Sequence, residues 1–292
     1  MRIAVASGKG GTGKTTLATS MAVTLAQDHA VWLVDCDVEA PNAHLFLNPT
    51  FNQKSDAVIR IPKIDTQICT SCGICVQVCQ FHALAKIDKT IMVFPQLCHG
   101  CGSCTINCPQ KAITEIPNPI GTLESGTAMA GVQFSRGTLT ISEPMPTPVI
   151  RQLKQSIKPD RQTIVIFDAP PGASCSVVET LRGVDFALLV AEPSPFGIHD
   201  LNQILGIVNE MKIPVGVVIN RVGMAGSQLE DFLKARKIPV LLRIPFSKKL
   251  ARAIASGALL IDAMPEYNHQ IRAMVEEIFA SGTKKREKRN VS

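Results

Sequence analysis

The chain has 292 residues, 46% of them hydrophobic, with a formal charge of +6 and ten cysteines. That length and apolar content suffice for a full core, and one large domain with an insertion fits them as well as two domains do. No apolar run approaches a membrane span. A chain of this length that opens directly into a strand, without a signal-peptide pattern, argues against an exported disulfide scaffold and for a soluble cytoplasmic protein.

Residues 3–6 read as a short buried strand, followed by SGKGGTGKTTLATSMAVTLAQ. Gly8, Lys9, Gly10, Gly11, Thr12, Gly13, Lys14 and Thr15 satisfy GxxxxGK[ST], and Thr16 begins the next turn. In that motif backbone N–H groups cradle phosphate, the lysine reaches the β and γ phosphates, and the hydroxyl binds Mg²⁺. The strand before it and a helix after it, with Leu17, Met21, Val23, Leu25 and Ala26 as its apolar face, supply the context the motif needs. The variant KGGTGKTT resembles the deviant-Walker ATPases, the family of MinD, ParA, Mrp-type iron–sulfur carriers and the nitrogenase iron protein. That resemblance implies a homodimer with nucleotide at the interface, in which Lys9 reaches the partner's phosphates.

Residues 31–37 read as a second strand ending in Asp35 and Asp37. DCDVEAPN resembles the family's second motif, which implies that Asp37 orients or activates the attacking water and that Asp35 supports the Mg²⁺ shell. Cys36, between them, reads as a small buried apolar residue.

Two cysteine runs follow with the spacing CxxCxxCxxxC: Cys69, Cys72, Cys75, Cys79, then Cys98, Cys101, Cys104, Cys108. CTSCGICVQVCQFHAL (69–84) overlays CHGCGSCTINCPQKAI (98–113) without a gap and pairs Gly73 with Gly102 and Ala83 with Ala112. Zinc, with four ligands per ion, gives no role to the third and fourth cysteines of each run. The runs resemble bacterial two-cluster ferredoxins, whose fourth cysteine crosses to the other run's cluster. By that resemblance one [4Fe–4S] cluster is held by Cys69, Cys72, Cys75 and Cys108, and the other by Cys98, Cys101, Cys104 and Cys79. Gln80 stands where Pro109 follows the second run, so a three-iron or labile first cluster is the alternative. Two oxidised clusters of about −2 each would bring the holoprotein to about +2, so basicity gives no reason to expect nucleic acid.

Residues 119–150 read as a hairpin leading, through the Pro-rich EPMPTP, to a helix over 149–157. Residues 163–167 form an apolar strand that runs into Asp168, Ala169, Pro170, Pro171 and Gly172. Asp168 follows a buried strand as the Mg²⁺-site carboxylate of P-loop enzymes does, and DAPPG resembles the family's switch loop. EPSPFGIHDL (192–201) resembles the MinD version of the next strand-to-helix loop, with Leu201, Ile204, Leu205 and Val208 as packing residues and His199 as polar surface. VVINR (217–221) ends a strand at Asn220, which the resemblance makes the adenine-reading residue, with Arg221 beside it. Arg243, Ile244, Pro245 and Phe246 resemble the segment that closes over the base. Ile271, Met274, Val275 and Ile278 give the last helix a docking face, and the tail 281–292 carries five basic residues and one acidic residue. A polybasic tail alone gives weak, salt-sensitive membrane attachment and no stable insertion.

Strand and helix alternation predicts an α/β fold, a doubly wound, mostly parallel P-loop NTPase sheet. Its two parts are residues 1–60 and 119–292, interrupted by a small ferredoxin-like α+β domain over 61–118 bracketed by Pro62 and Pro117. The resemblance, which covers nearly the whole chain, implies ATP, Mg²⁺ and two [4Fe–4S] clusters as cofactors and ATP hydrolysis coupled to electron transfer or to a redox partner that the sequence does not name. A cluster carrier of the Mrp type and a MinD-like positioning ATPase are the alternatives. The carrier reading lacks the late CPxC pair, since no cysteine follows Cys175. Cys175 resembles the nitrogenase iron protein's bridging cysteine in placement, but a bridging cluster needs two cysteines per subunit, and Cys36 is the only other spare one.

Overall fold

Five apolar runs with almost no polar interruption set the architecture. The computed structural model describes residues 1–224 and 226–289, the side chains of 282–289 excepted, so the last three residues of the basic tail lie outside the described residues. In chain order the elements are β1 (Arg2–Ala6), α1 (Lys14–Leu25), β2 (Val31–Asp35), α2 (His44–Leu47), β3 (Thr50–Ile64), α3 (Ile74–Gln77), β4 (Leu84–Ile87), β5 (Thr90–Val93), α4 (Ser103–Ile106) and β6 (Ile113–Thr127). There follow β7 (Gln133–Leu139), α5 (Pro146–Ser156), β8 (Ile164–Asp168), α6 (Cys175–Leu181), β9 (Phe186–Ala191), α7 (Pro195–Glu210), β10 (Val215–Val222), α8 (Gln228–Ala235), β11 (Val240–Pro245), α9 (Lys248–Ala255), α10 (Leu260–Ala263) and α11 (Tyr267–Arg289).

The main sheet has the order β11-β10-β9-β1-β8-β2-β7-β6-β3, parallel from β11 to β7 and antiparallel beyond. Its central strands are buried on both faces, which is why they read as continuous apolar runs rather than alternating ones. One face carries α5 to α8, packed through residues such as Val149, Leu153, Leu181, Leu205 and Leu233. The other carries α1 and α9 to α11, with Leu17, Met21, Leu250, Leu260 and Ile271. Among the described residues no helix is long and apolar enough to cross a membrane.

Two sequence expectations change. The second strand stops at Asp35 rather than Asp37, because the Asp35 carboxylate accepts the N–H of Asp37 at 3.1 Å and turns the chain out of the ladder. The cysteine block is not bracketed by loops at Pro62 and Pro117. Both prolines lie inside a long antiparallel ribbon of β3 and β6, which pair from Thr50↔Thr127 to Ile64↔Ile113. The ribbon tolerates them because β3 is an edge strand and Pro117 lies beyond the reach of β7, which pairs only with 121–127. The expected hairpin over 119–150 is the β6–β7 turn, but its first strand begins at Ile113.

Past Gly121 the ribbon leaves the sheet as two strands, and a register shift at Ala57/Val58 marks the point of departure. Such a bulge bends its strand and leaves backbone groups without a ladder partner. Gln152 on α5 takes both: its amide nitrogen donates to Val58 O at 2.9 Å and its oxygen accepts from Val58 N at 3.0 Å. A two-stranded ribbon is marginal by itself, and this side chain braces it at its base. The change Gln152→Leu should therefore cost about 1–3 kcal/mol, the penalty for unpartnered backbone groups, read as a lower urea midpoint at unchanged slope.

Candidate functional site

The phosphate loop connects β1 to α1, and Lys14, the first residue of that helix, is buried at 7% exposure. Three outside groups hold the loop. Asn220 Nδ2 donates to Thr12 O at 2.7 Å, Arg221 Nη2 donates to Gly11 O at 3.0 Å, and Gly172 N donates to Ser7 O at 3.0 Å. The last bond ties the 168–172 loop to the phosphate loop. Thr15 Oγ1 donates to Asp168 Oδ2 at 2.6 Å, while Asp168 Oδ1 and Thr12 Oγ1 are buried without a partner. A buried carboxylate oxygen left open beside a threonine hydroxyl fits a hard cation such as Mg²⁺, which binds through one or two protein oxygens plus phosphate.

Asp35 and Asp168 are in-register neighbours on β2 and β8, both essentially without solvent contact. Asp35 spends its oxygens on backbone, accepting from Asp37 N, Asn42 N and Ala43 N, and so folds the loop that carries Asp37. Burial and the neighbouring Asp168 charge push the Asp35 carboxyl well above the usual range. Burial raises Asp168 to about 6, against the pull of Lys14 and the Thr15 hydrogen bond. Burial also raises Asp37, which Lys14 partly offsets. Asn220 and Arg221 end β10 at the rim where the loop lies, and Pro245 ends β11 in register with Val222, one strand further out.

Lys9 and Arg221 converge on one carboxylate, Glu192, at 3.0 Å through Oε2 and 2.7 Å through Oε1. Cys36 is fully buried and His199 is exposed surface, as expected. Cys175 is exposed at the start of α6.

At the far end of the ribbon the eight cysteines regroup. Cys79, Cys98, Cys101 and Cys104 line one cavity with Arg60, Phe81, His99 and Glu115. Cys69, Cys72, Cys75 and Cys108 line a second with Ile64, Ile91 and Ile113. The fourth cysteine of each run thus sits in the other run's cavity. Backbone N–H groups point at sulfur in matched pairs: Ser71 to Cys69 and Gly100 to Cys98 at 3.4 Å, and Ala83 to Cys79 and Ala112 to Cys108 at 3.3 Å. Gly73 and Gly102 hold φ of 83° and 74° as caps of α3 and α4, a conformation that a Cβ would strain. Among the described residues no three His, Cys, Asp or Glu side chains meet to hold a single metal ion.

Residues 3–261 match the CobQ/CobB/MinD/ParA nucleotide binding domain family. The chain belongs to that family. An uncharacterized protein of Methanocaldococcus jannaschii is 30% identical over 95% of this chain and 96% of its own length. The cytosolic Fe-S cluster assembly factor Nubp2 homolog of Anopheles gambiae is 23% identical over 90% of each chain. The solved structure of the septum site-determining protein MinD complexed with Mg-ADP from Pyrococcus horikoshii covers 95% of each chain with a TM-score of 0.57 at 17% identity, a likeness of fold.

Within this CobQ/CobB/MinD/ParA member, sequence reasoning missed Glu192 and gave Asp35 a role at the cation that its three N–H partners only partly leave open. Both depend on tertiary pairing, although an acidic residue at the end of a buried strand was a signal for Glu192. The raised carboxyls also fix a pH dependence. Between pH 3.8 and about 6 the folded, nucleotide-free protein keeps a proton on Asp168 that the unfolded chain has lost. Stability should therefore fall as pH rises through that window, and Mg²⁺ with ADP should flatten the decline. Thermal melts across the window, with and without Mg²⁺ and ADP, check both halves of the expectation.

Proposed function

We propose that this protein is a dimeric ATP-hydrolysing switch carrying two [4Fe–4S] clusters, which couples nucleotide state to electron transfer or to contact with a partner protein. The observation that carries the reading is the regrouping of eight cysteines into two cavities of crossed composition, each supplied with two N–H donors to sulfur. Sulfurs that surround a volume suit a polynuclear cluster, whereas zinc needs its four ligands about 2.3 Å from one centre. Cys79, Cys98, Cys101 and Cys104 would hold one cluster, and Cys69, Cys72, Cys75 and Cys108 the other. When bound, the clusters supply single-electron acceptor and donor chemistry. On this reading residues 61–118 are an inserted ferredoxin domain.

At the nucleotide, Lys14 binds the β and γ phosphates, Thr15 and Asp168 hold Mg²⁺, and Asp37 faces the attacking water. Asn220 and Pro245 border the adenine, and Lys9 serves the partner's phosphates. Support comes from the family membership, the unpartnered oxygen of Asp168 and the bonded path of the 168–172 loop. The Lys14→Ala protein should lose ATP turnover by about 10²-fold or more while keeping about eight iron atoms per monomer and the brown colour. Normal turnover in that variant would sink the assignment.

The Anopheles gambiae relative is named as an Fe-S cluster assembly factor, which favours a second reading in which this chain hands clusters on as a carrier. Anaerobic incubation of the holoprotein with an apo-acceptor and ATP separates the two. A switch should keep its iron, and a carrier should lose it within minutes.

A further inference from the structure

We propose that Glu192 gates dimerisation by holding Lys9 at home. The proposal rests on the reading of Lys9 as the lysine that serves the partner's phosphates, and it assigns to the free subunit a competing site for the same ammonium group. Glu192 sits one residue past β9, and its side chain is 11% exposed. One of its oxygens lies 3.0 Å from Lys9 Nζ, the other 2.7 Å from Arg221 Nη1. Arg221 in turn donates from Nη2 to the phosphate-loop carbonyl of Gly11. Lys9 is therefore folded against its own subunit.

The main chain that carries the carboxylate is pinned: the Glu192 backbone carbonyl accepts from Ser194 N at 2.8 Å, and a Cβ on Gly197 would fall 2.3 Å from the same oxygen, so the first turn of α7 is packed onto Glu192. The carboxylate itself is held by Arg221. The phosphate loop is pressed onto that helix too, since a Cβ on Gly8 would fall 2.2 Å from Asp200 O. When Lys9 leaves, the bond to Arg221 remains, so the buried carboxylate is not stranded without a counter-ion. That second cation matters because removing the sole partner of a buried charge is strongly unfavourable. The exchange is one anion for another, Glu192 for a phosphate across the interface. A subunit offered no phosphate keeps its lysine, and the strength of the Glu192 contact sets how much nucleotide-loaded partner is needed to draw it away.

Sedimentation equilibrium with Mg²⁺ and a non-hydrolysable ATP analogue tests this on the wild-type chain and the variants Glu192→Gln, Lys9→Ala and the double variant. Glu192→Gln keeps an acceptor for Arg221 and removes the charge that competes for Lys9. It should reach half-dimerisation at about fivefold lower protein concentration, the size of effect that releasing two weak ion pairs, one in each subunit, supports. The double variant should dimerise no better than Lys9→Ala, because there is no lysine left to release. An unchanged or higher midpoint for Glu192→Gln, with Lys9→Ala still failing to dimerise, overturns the gate alone. Normal dimerisation of Lys9→Ala overturns the trans-lysine reading and the gate with it. If Glu192→Gln does not fold, Glu192→Asp, which keeps the charge and shortens the reach, decides by the same criterion.

Discussion

Two carboxylates buried side by side in register are the constraint around which the nucleotide site is organised. Asp35 and Asp168 face each other across β2 and β8, and Lys14 is the cation that offsets Asp168 and the nearby Asp37. Like charges in a low-dielectric interior repel strongly unless hydrogen bonds or a counter-ion compensate. Asp35 solves its share by accepting three backbone N–H groups, which folds residues 36–43 into the loop that presents Asp37. Asp168 solves only half, with one oxygen on Thr15 and the other open. The site is thus electrostatically incomplete on its open side, where the phosphate loop lies.

Any change at Asp168 has a bonded route to the cysteines. The chain runs from Asp168 through a loop tied back to Ser7 and into α6, which is gripped at its end by α5. Arg151 makes two bonds to Glu179, at 3.2 and 3.1 Å, and Lys154 Nζ donates to the carbonyls of Glu179, Thr180 and Arg182. A lysine on the last carbonyls of a helix satisfies groups that the helix itself cannot. Gln152, between those two residues in sequence, holds the bulge of the ribbon. One helix therefore grips the segment behind the 168–172 loop and the base of the arm that carries the cysteines. Contiguity of this kind supplies the material for coupling, and a two-state element biased from both ends is what would make it coupling in fact.

The phosphate loop, Asp168 and the cysteine pairing were legible in the sequence because each is a local pattern whose chemistry fixes its spacing. The crossed cysteine sets were legible through the resemblance of the two runs to two-cluster ferredoxins, and the cysteines of the fold group in that way. The ribbon was not legible. Its inner half, residues 50–56, is the edge of the main sheet with polar residues on both faces, so period-two alternation is missing, and Pro62 further out reads as a stop signal although an edge tolerates it. Gln152 was silent for a different reason. It is an ordinary polar residue in an ordinary helix, and its partner Val58 lies far away in sequence, so only the fold assigns it a role. Glu192 carried one local signal, an acidic residue directly after a buried strand, but its partners Lys9 and Arg221 are brought to it by the fold.

The two cysteine cavities are alike in backbone and unlike in surroundings, and the difference follows the ribbon. The cavity lined by Arg60 and Pro62 lies nearer the sheet, and its residues Ala83 and Cys98 belong to the main core. The cavity lined by Ile64 and Ile113 sits at the strand ends, in a small apolar cluster that also takes in Leu84 and Cys104 of the inner cavity. Each has two N–H donors to sulfur, so the duplicated backbone treats them equally. The inequality comes from side chains: Ser103 lies beside Cys101 where the first copy has Ile74, and Arg60, His99 and Glu115 line only the inner cavity. Hydrogen bonds, charge and solvent access are the protein's means of setting a cluster's potential. On the proposed two-cluster reading, a duplication that kept the sulfur geometry and varied the lining gives two centres of one kind and two potentials, ordered along an arm whose base is held by the nucleotide-binding body.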